Sequence, residues 1–149
     1  MDISEEHRIC IEDNNNSINP LTIAGPISGS YSLTAGGASG ATIILTGANT
    51  FTGALTISSG VTLQLGDSAS TGTLSASTIT NNGALAFNQP SASTLAANIY
   101  GSGALTVNGT GAVTLTGTNA FSGGTTVNAG ATLQISSDGN LGVYNLVSP

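Results

Sequence analysis

Along most of the chain, apolar residues come in pairs separated by one polar residue: Leu55/Ile57, Leu63/Leu65, Leu85/Phe87, Leu105/Val107, Val113/Leu115 and Leu133/Ile135. Successive side chains of a strand point to opposite faces, so each pair predicts a short strand with one buried face. Turn residues separate the pairs at about eight to ten positions, as in Ser58-Ser59-Gly60, Asn81-Asn82-Gly83 and Ala129-Gly130. Gly and Asn accept the positive φ that sharp corners need. Helix is disfavoured, because Glu, Lys and Arg are nearly absent from the body while β-branched Thr, Val and Ile are abundant. By spacing alone, an antiparallel sandwich or barrel fits as well.

Internal repetition separates these architectures. Leu45-Thr46-Gly47-Ala48-Asn49-Thr50-Phe51-Thr52-Gly53 recurs seventy positions later as Leu115-Thr116-Gly117-Thr118-Asn119-Ala120-Phe121-Ser122-Gly123. The match continues without a gap, Thr62-Leu63-Gln64-Leu65 answering to Thr132-Leu133-Gln134-Ile135 and Gly60 to Gly130. Upstream, Ile27-Ser28-Gly29-Ser30 and Leu33-Thr34 align with Ile99-Tyr100-Gly101-Ser102 and Leu105-Thr106 at an offset of seventy-two. A two-residue difference therefore sits near Gly36 to Gly40. Such a unit divides into about three coils of roughly 23 residues, each with three short strands, which predicts an all-β parallel β-helix of about six coils. At the strand spacing of a sheet the rod would be about 30 Å long. The expected divisions are a polar charged leader or N-terminal cap over 1–20, a first solenoid module over 21–92, an incomplete second over 93–142, and a tail over 143–149.

Composition fits a stack. Thr, Gly, Ser and Asn make up half the chain and only 5 % is charged, against 39 % hydrophobic. Disorder combines low hydrophobicity with high net charge, which is not the pattern here. Like charges stacked at strand spacing repel, so a repetitive stack favours neutral polar side chains outside, with Thr, Ser and Asn on the outward positions. Asn and Thr can also hydrogen-bond along a ladder. Six of the eight charges, Asp2, Glu5, Glu6, Arg8, Glu12 and Asp13, lie in the leader; only Asp67 and Asp138 follow. With one Arg and a net charge of −6, neither nucleic acid nor an anionic membrane surface is an expected partner. Cys10 has no internal disulfide partner. Met1 to Pro20 holds no apolar signal-peptide core, and no stretch reaches the roughly 18 apolar residues of a transmembrane helix.

Few residues offer chemistry. Asp67 and Asp138 follow equivalent pairs, so they are expected about three coils apart, at ~14 Å along the axis, wider than a glycosidase carboxylate pair. The favoured reading is two turn residues bonding their own backbone. His7 and Cys10, three apart, would share a face of a helix, but a structural zinc wants four ligands and no second pair exists. Gly36-Gly37-Ala38-Ser39-Gly40-Ala41 faintly resembles the calcium-binding Gly-rich nonapeptide yet lacks its Asp, and reads as a loop. Without Lys there is no phosphate-binding Gly-x-x-x-x-Gly-Lys, and a Ser–His triad has only His7 to draw on. Phe51 and Phe121 are expected to plug a corner or cap the core rather than stack on sugar. Tyr31, Tyr100 and Tyr144 form no periodic row, although Tyr31 and Tyr100 fall close together in the module alignment. No catalytic, cofactor-binding or metal residue is assigned, and no cofactor is expected.

Leu-Thr-Gly-x-Asn-x-Phe-x-Gly, followed by Gly124-Thr125-Thr126-Val127-Asn128-Ala129-Gly130-Ala131-Thr132-Leu133-Gln134-Ile135 and Ser136-Ser137-Asp138-Gly139-Asn140-Leu141-Gly142, resembles the passenger-associated repeat of bacterial autotransporters. The resemblance implies a right-handed parallel β-helix, displayed outside Gram-negative cells by a C-terminal outer-membrane barrel. Residues 1–20 do not share it, and neither a signal peptide nor a barrel is recognisable in the chain. The motif is specific for a repeat type and silent on activity. The expectation is a non-enzymatic extracellular or cell-surface β-solenoid acting as a surface-display, adhesion or stalk element. Its partners would be further copies of itself or host and cell-surface glycans or proteins. One alternative is a self-assembling subunit stacking end to end into a filament, with the leader or the Val143 to Pro149 tail as cap or connector. Another, disfavoured by the scarcity of charged groups, is a polysaccharide-active β-helix enzyme.

Overall fold

The computed structural model describes residues 7–11 and 19–142. The strands follow one another around a three-sided coil. The first coil holds β1 (His7–Ile11) and β2 (Leu21–Ile23); the second holds β3 (Leu33–Gly37), β4 (Thr42–Leu45) and β5 (Ala48–Asn49). The third contributes β6 (Leu55–Ile57), β7 (Thr62–Leu65) and β8 (Thr73–Leu74), and the fourth β9 (Thr78–Asn81), β10 (Ala84–Phe87) and β11 (Ser93–Leu95). The fifth has β12 (Asn98–Gly101), β13 (Ala104–Val107) and β14 (Ala112–Leu115), and the sixth β15 (Ala120–Phe121), β16 (Thr125–Val127) and β17 (Thr132–Ile135). A 3-10 turn, Asp138–Asn140, follows. Every strand pairing is parallel, so the fold is the expected β-solenoid of six coils.

Three faces result. The first runs β1-β3-β6-β9-β12-β15 and the second β2-β4-β7-β10-β13-β16. The third is interrupted: β5-β8 and β11-β14-β17 form separate sheets. Every apolar pair read from the sequence falls within one strand, and most of its residues stack on apolar residues of a neighbouring coil; Ile57 on Asn81, Leu105 on Thr125 and Val113 on Ser93 are exceptions on one side. On the second face, Leu21, Ile43, Leu63, Leu85 and Leu105 make one inward column, and Ile23, Leu45, Leu65, Phe87 and Val107 the next. From the second coil to the fifth these columns are buried and form one continuous core. Each such side chain contributes on the order of 1.5–3 kcal/mol by leaving water.

Coil length varies with the corners. On the first face Leu33 stacks on Leu55 and Leu55 on Ile79, steps of 22 and 24 residues. Ile79 on Ile99 and Tyr100 on Ala120 are steps of 20. The longest of these steps accommodates an enlarged corner at residues 66–72. Here Asp67 Oδ1 accepts from the backbone N–H of Ala69 (3.0 Å) and Ser70 (2.6 Å), and Ser68 takes a positive φ of 71°. Gln89, buried in the next coil, closes the corner by accepting from the Gly72 N–H (3.0 Å) and donating to the Gly72 carbonyl (2.6 Å). Its amide supplies the two hydrogen bonds that a neighbouring strand would otherwise provide.

The structure changes the meaning of the seventy-residue repeat. Leu45 lies on the second face, in β4, but its counterpart Leu115 lies on the third, in β14. Likewise β6 on the first face corresponds to β16 on the second, and β7 on the second to β17 on the third. The repeat thus spans three coils and one further face, rather than three coils of roughly 23 residues.

Candidate functional site

The repeated motif builds a corner. Asn49 is fully buried; its Oδ1 accepts from the Ile27 N–H of the coil before (3.1 Å), and its Nδ2 donates to the Thr73 carbonyl of the coil after (3.1 Å) and to Gly47 (2.9 Å). Asn119 repeats the arrangement one face on. Its Oδ1 accepts from the Ile99 N–H (2.8 Å) and its Nδ2 donates to the Asn140 carbonyl (2.6 Å). Two residues on, Phe51 and Phe121 are both buried, so they plug the core and are unavailable to stack on a sugar. The motif's closing glycines are needed for close approach: a Cβ at Gly53 would collide with the Tyr31 carbonyl, and one at Gly123 with the backbone of Gly103. A side chain there would push the coils apart.

Asn is therefore an inward residue at these corners, not only an outward one. Asn49, Asn81, Asn119 and Asn140 are all buried. Asn81 donates to the Ala104 carbonyl at 2.9 Å, and Asn140 donates to the Gly117 carbonyl at 2.8 Å. The signal was present in the sequence, since in Asn-x-Phe the two residues share a face by strand alternation. Outward ladders also form: Asn128 donates to Asn108, and the Thr114 hydroxyl to Gln134 Oε1 (3.0 Å), each across one coil.

The other candidates are not brought together. Asp67 follows β7 on the second face, and Asp138 follows β17 on the third, so the two aspartates occupy different corners as well as different coils. Asp67 closes its own turn, and Asp138 opens the 3-10 turn, its carbonyl accepting from the Leu141 N–H (3.0 Å). Gly36 and Gly37 end β3, and only 38–41 form the corner expected over 36–41, closed by the Ala41 N–H donating to the Ala38 carbonyl (3.0 Å). His7–Ile11 is a strand, paired in register with β3, so the helical spacing considered for His7 and Cys10 does not apply; positions three apart in a strand belong to opposite faces. Tyr31 sits half-buried ahead of β3, while Tyr100 is exposed on β12. Tyr144 lies outside the described residues. A shallow open groove of about 440 Å³ lies where the third face is interrupted, lined by small side chains including Ser75, Ala76, Ser77, Thr94 and Ala97. Among the described residues, no group of three His, Cys, Asp or Glu side chains gathers to hold a metal.

The family model of the passenger-associated-transport repeat matches residues 38–65 and 105–135, the two segments that carry the Asn–Phe corner. The first match begins just after β3 and the second within β13, and they end on complete strands, β7 and β17. Comparison with curated proteins and with solved structures gives no match. Among the described residues no helix is long and apolar enough to cross a membrane.

Proposed function

We propose that this chain is a structural passenger segment, a stiff solenoid spacer that stands outside a bacterial cell and has no catalytic activity of its own. The observation that supports it is the use of the polar groups in the two passenger repeats. The amides of Asn49 and Asn119 hold successive coils together through main-chain atoms. They bind the fold rather than a ligand. The outward faces between them carry short side chains such as Thr34, Thr56 and Thr80, stacked in register on the first face. A stalk is favoured over an adhesin because the repeat's aromatic residues, Phe51 and Phe121, are enclosed in the core.

The test is surface presentation. Cells displaying the chain behind an N-terminal epitope, fused to an outer-membrane anchor, should expose the epitope to antibody and to added protease. Adhesion to matrix proteins and glycans should match that of cells bearing the anchor alone. Saturable adhesion that disappears when the solenoid is deleted would replace the stalk with an adhesin. Turnover of any substrate in a polysaccharide panel by the purified chain would overturn the non-enzymatic reading.

A further inference from the structure

The sequence holds two Asn-Gly steps, Asn82-Gly83 and Asn108-Gly109. An asparagine before glycine can lose its amide to its own main chain, because the unhindered glycine nitrogen reaches the side-chain carbonyl. Within a fold that approach is blocked by a hydrogen bond on the asparagine amide, by a hydrogen bond on the glycine N–H, or by burial. The structure separates the two steps on all of these grounds. Asn108 is held: its Oδ1 accepts from Asn128 Nδ2, and the N–H groups of Asn108 and Gly109 both donate to the Phe87 carbonyl (2.8 and 3.4 Å). Gly109 is buried, and a Cβ on it would collide with the backbone of Gln89. Asn82 is exposed, and among the described residues neither its side-chain amide nor the Gly83 N–H has a hydrogen-bond partner.

These two residues are the whole link between β9 and β10, in the fourth coil, with described coils on both sides. Their outer groups are anchored: the Asn82 N–H donates to the Ile57 carbonyl (3.0 Å), and the Gly83 carbonyl accepts from the Ala104 N–H (3.2 Å). The peptide group between them is the unrestrained part. Packing also fixes the glycine, since a Cβ at Gly83 would collide with the Val61 and Ser58 carbonyls. Position 83 therefore admits no side chain that would shield the step. The same corner reads Ser39-Gly40, Ser59-Gly60, Ser102-Gly103 and Ser122-Gly123 in the other coils from the second to the sixth. Among the described residues, only the fourth coil sets an amide beside the glycine of this corner.

We infer that Asn82 is a site of self-modification, at which the chain converts a neutral corner into a carboxylate. Solvent base takes the Gly83 N–H proton, and the nitrogen lone pair attacks Asn82 Cγ. The new C–N bond replaces the Cγ–Nδ2 bond, and Nδ2 takes a proton from water and leaves as ammonia. Water then opens the resulting succinimide at either carbonyl, giving aspartate or isoaspartate. Water is consumed, ammonia is released, and nothing is oxidised or reduced. The product adds a carboxylate to a stretch that otherwise carries only Asp67 and Asp138. Its neighbours in the corner, Ser58 and Ser102, are neutral, so no like charge opposes it.

The test incubates the folded full chain in mildly alkaline buffer and follows the acid form of each asparagine by peptide mass spectrometry and anion-exchange chromatography. Asn82 should convert first, with isoaspartate among its products, and faster as pH rises, since the attacking nitrogen must lose its proton. Asn108 should lag by more than about tenfold, because its corner must open before it reacts. In denaturant the two should convert at similar rates. Asn82→Ser, which installs the residue of the neighbouring corners, should abolish the early acidic species, and Asn108→Ser should leave it. The proposal fails if Asn82 stays intact in the folded chain, if Asn108 keeps pace with it, or if the early acidic species survives in Asn82→Ser. It fails equally if the preference for Asn82 persists in denaturant, which would assign it to local sequence rather than to the fold.

Discussion

Strands β7 and β17 have nearly the same sequence, Thr-Leu-Gln-Leu and Thr-Leu-Gln-Ile, yet one is core and the other is surface. In β7, Leu63 and Leu65 are 1 % and 2 % exposed; in β17, Leu133 is only partly buried and Ile135 is 39 % exposed. The difference lies in their neighbours. Among the described residues, strand β7 is paired on both sides, by β4 and β10, whereas β17 is paired by β14 alone. In this fold the local sequence specifies a strand and its two faces, and the position in the stack decides how much water the inward face loses. The sixth coil is not open throughout. Phe121 is as buried as Phe51, because the segment from Asp138 to Gly142 begins a further turn over it, joined by Asn119 N–H to the Gly139 carbonyl (2.7 Å).

The comparison can be sharpened by paired substitutions followed through denaturant unfolding. The largest effects should come from Phe51→Ala and Phe121→Ala, each destabilising by about 3–5 kcal/mol. A Phe121 effect under half that of Phe51 would mean that the turn at 138–142 opens before the coils do. Next come the equivalent leucines. Leu63→Ala should cost about 2–5 kcal/mol and Leu133→Ala less than about 1 kcal/mol; equal costs would refute the claim that stack position sets burial. Most alike, and between the two leucines in size, should be Asn49→Ala and Asn119→Ala, at about 1–3 kcal/mol each, since each strips hydrogen bonds from buried backbone groups in two neighbouring coils. Hydrogen exchange at the Ile27 and Ile99 amides, which lose their acceptors, should quicken in the matching variant and not in the other.

Much of the fold was legible because its information is local and repeated. Pairs such as Leu105/Val107 mark a strand by themselves, and the recurrence of Leu-Thr-Gly-x-Asn-x-Phe marks a stack. The two-residue strands β5 and β8 are too short to show alternation, so the early part of the third face was hidden, although Val113/Leu115 and Leu133/Ile135 marked its later strands. The phase of the repeat was hidden for a related reason. With three faces of similar width, a shift of one face preserves the inward and outward pattern, and only pairing partners such as Leu65 with Phe87 reveal it. The corners were misread where side chains act as backbone: nothing in the local pattern around Gln89 announces that its amide will bracket Gly72, because the two meet only across a coil.

The offset of the repeat by one face has a consequence for recognition. Whatever is displayed by the outer surface of residues 38–65 reappears on residues 105–135 at a different azimuth around the axis, not directly above the first copy. A binding protein selected against one copy would meet the other on another side of the rod. A rigid two-armed reagent would have to wrap around the shaft to grip both, so the duplication enlarges the number of directions from which the chain can be approached more than it strengthens any single grip.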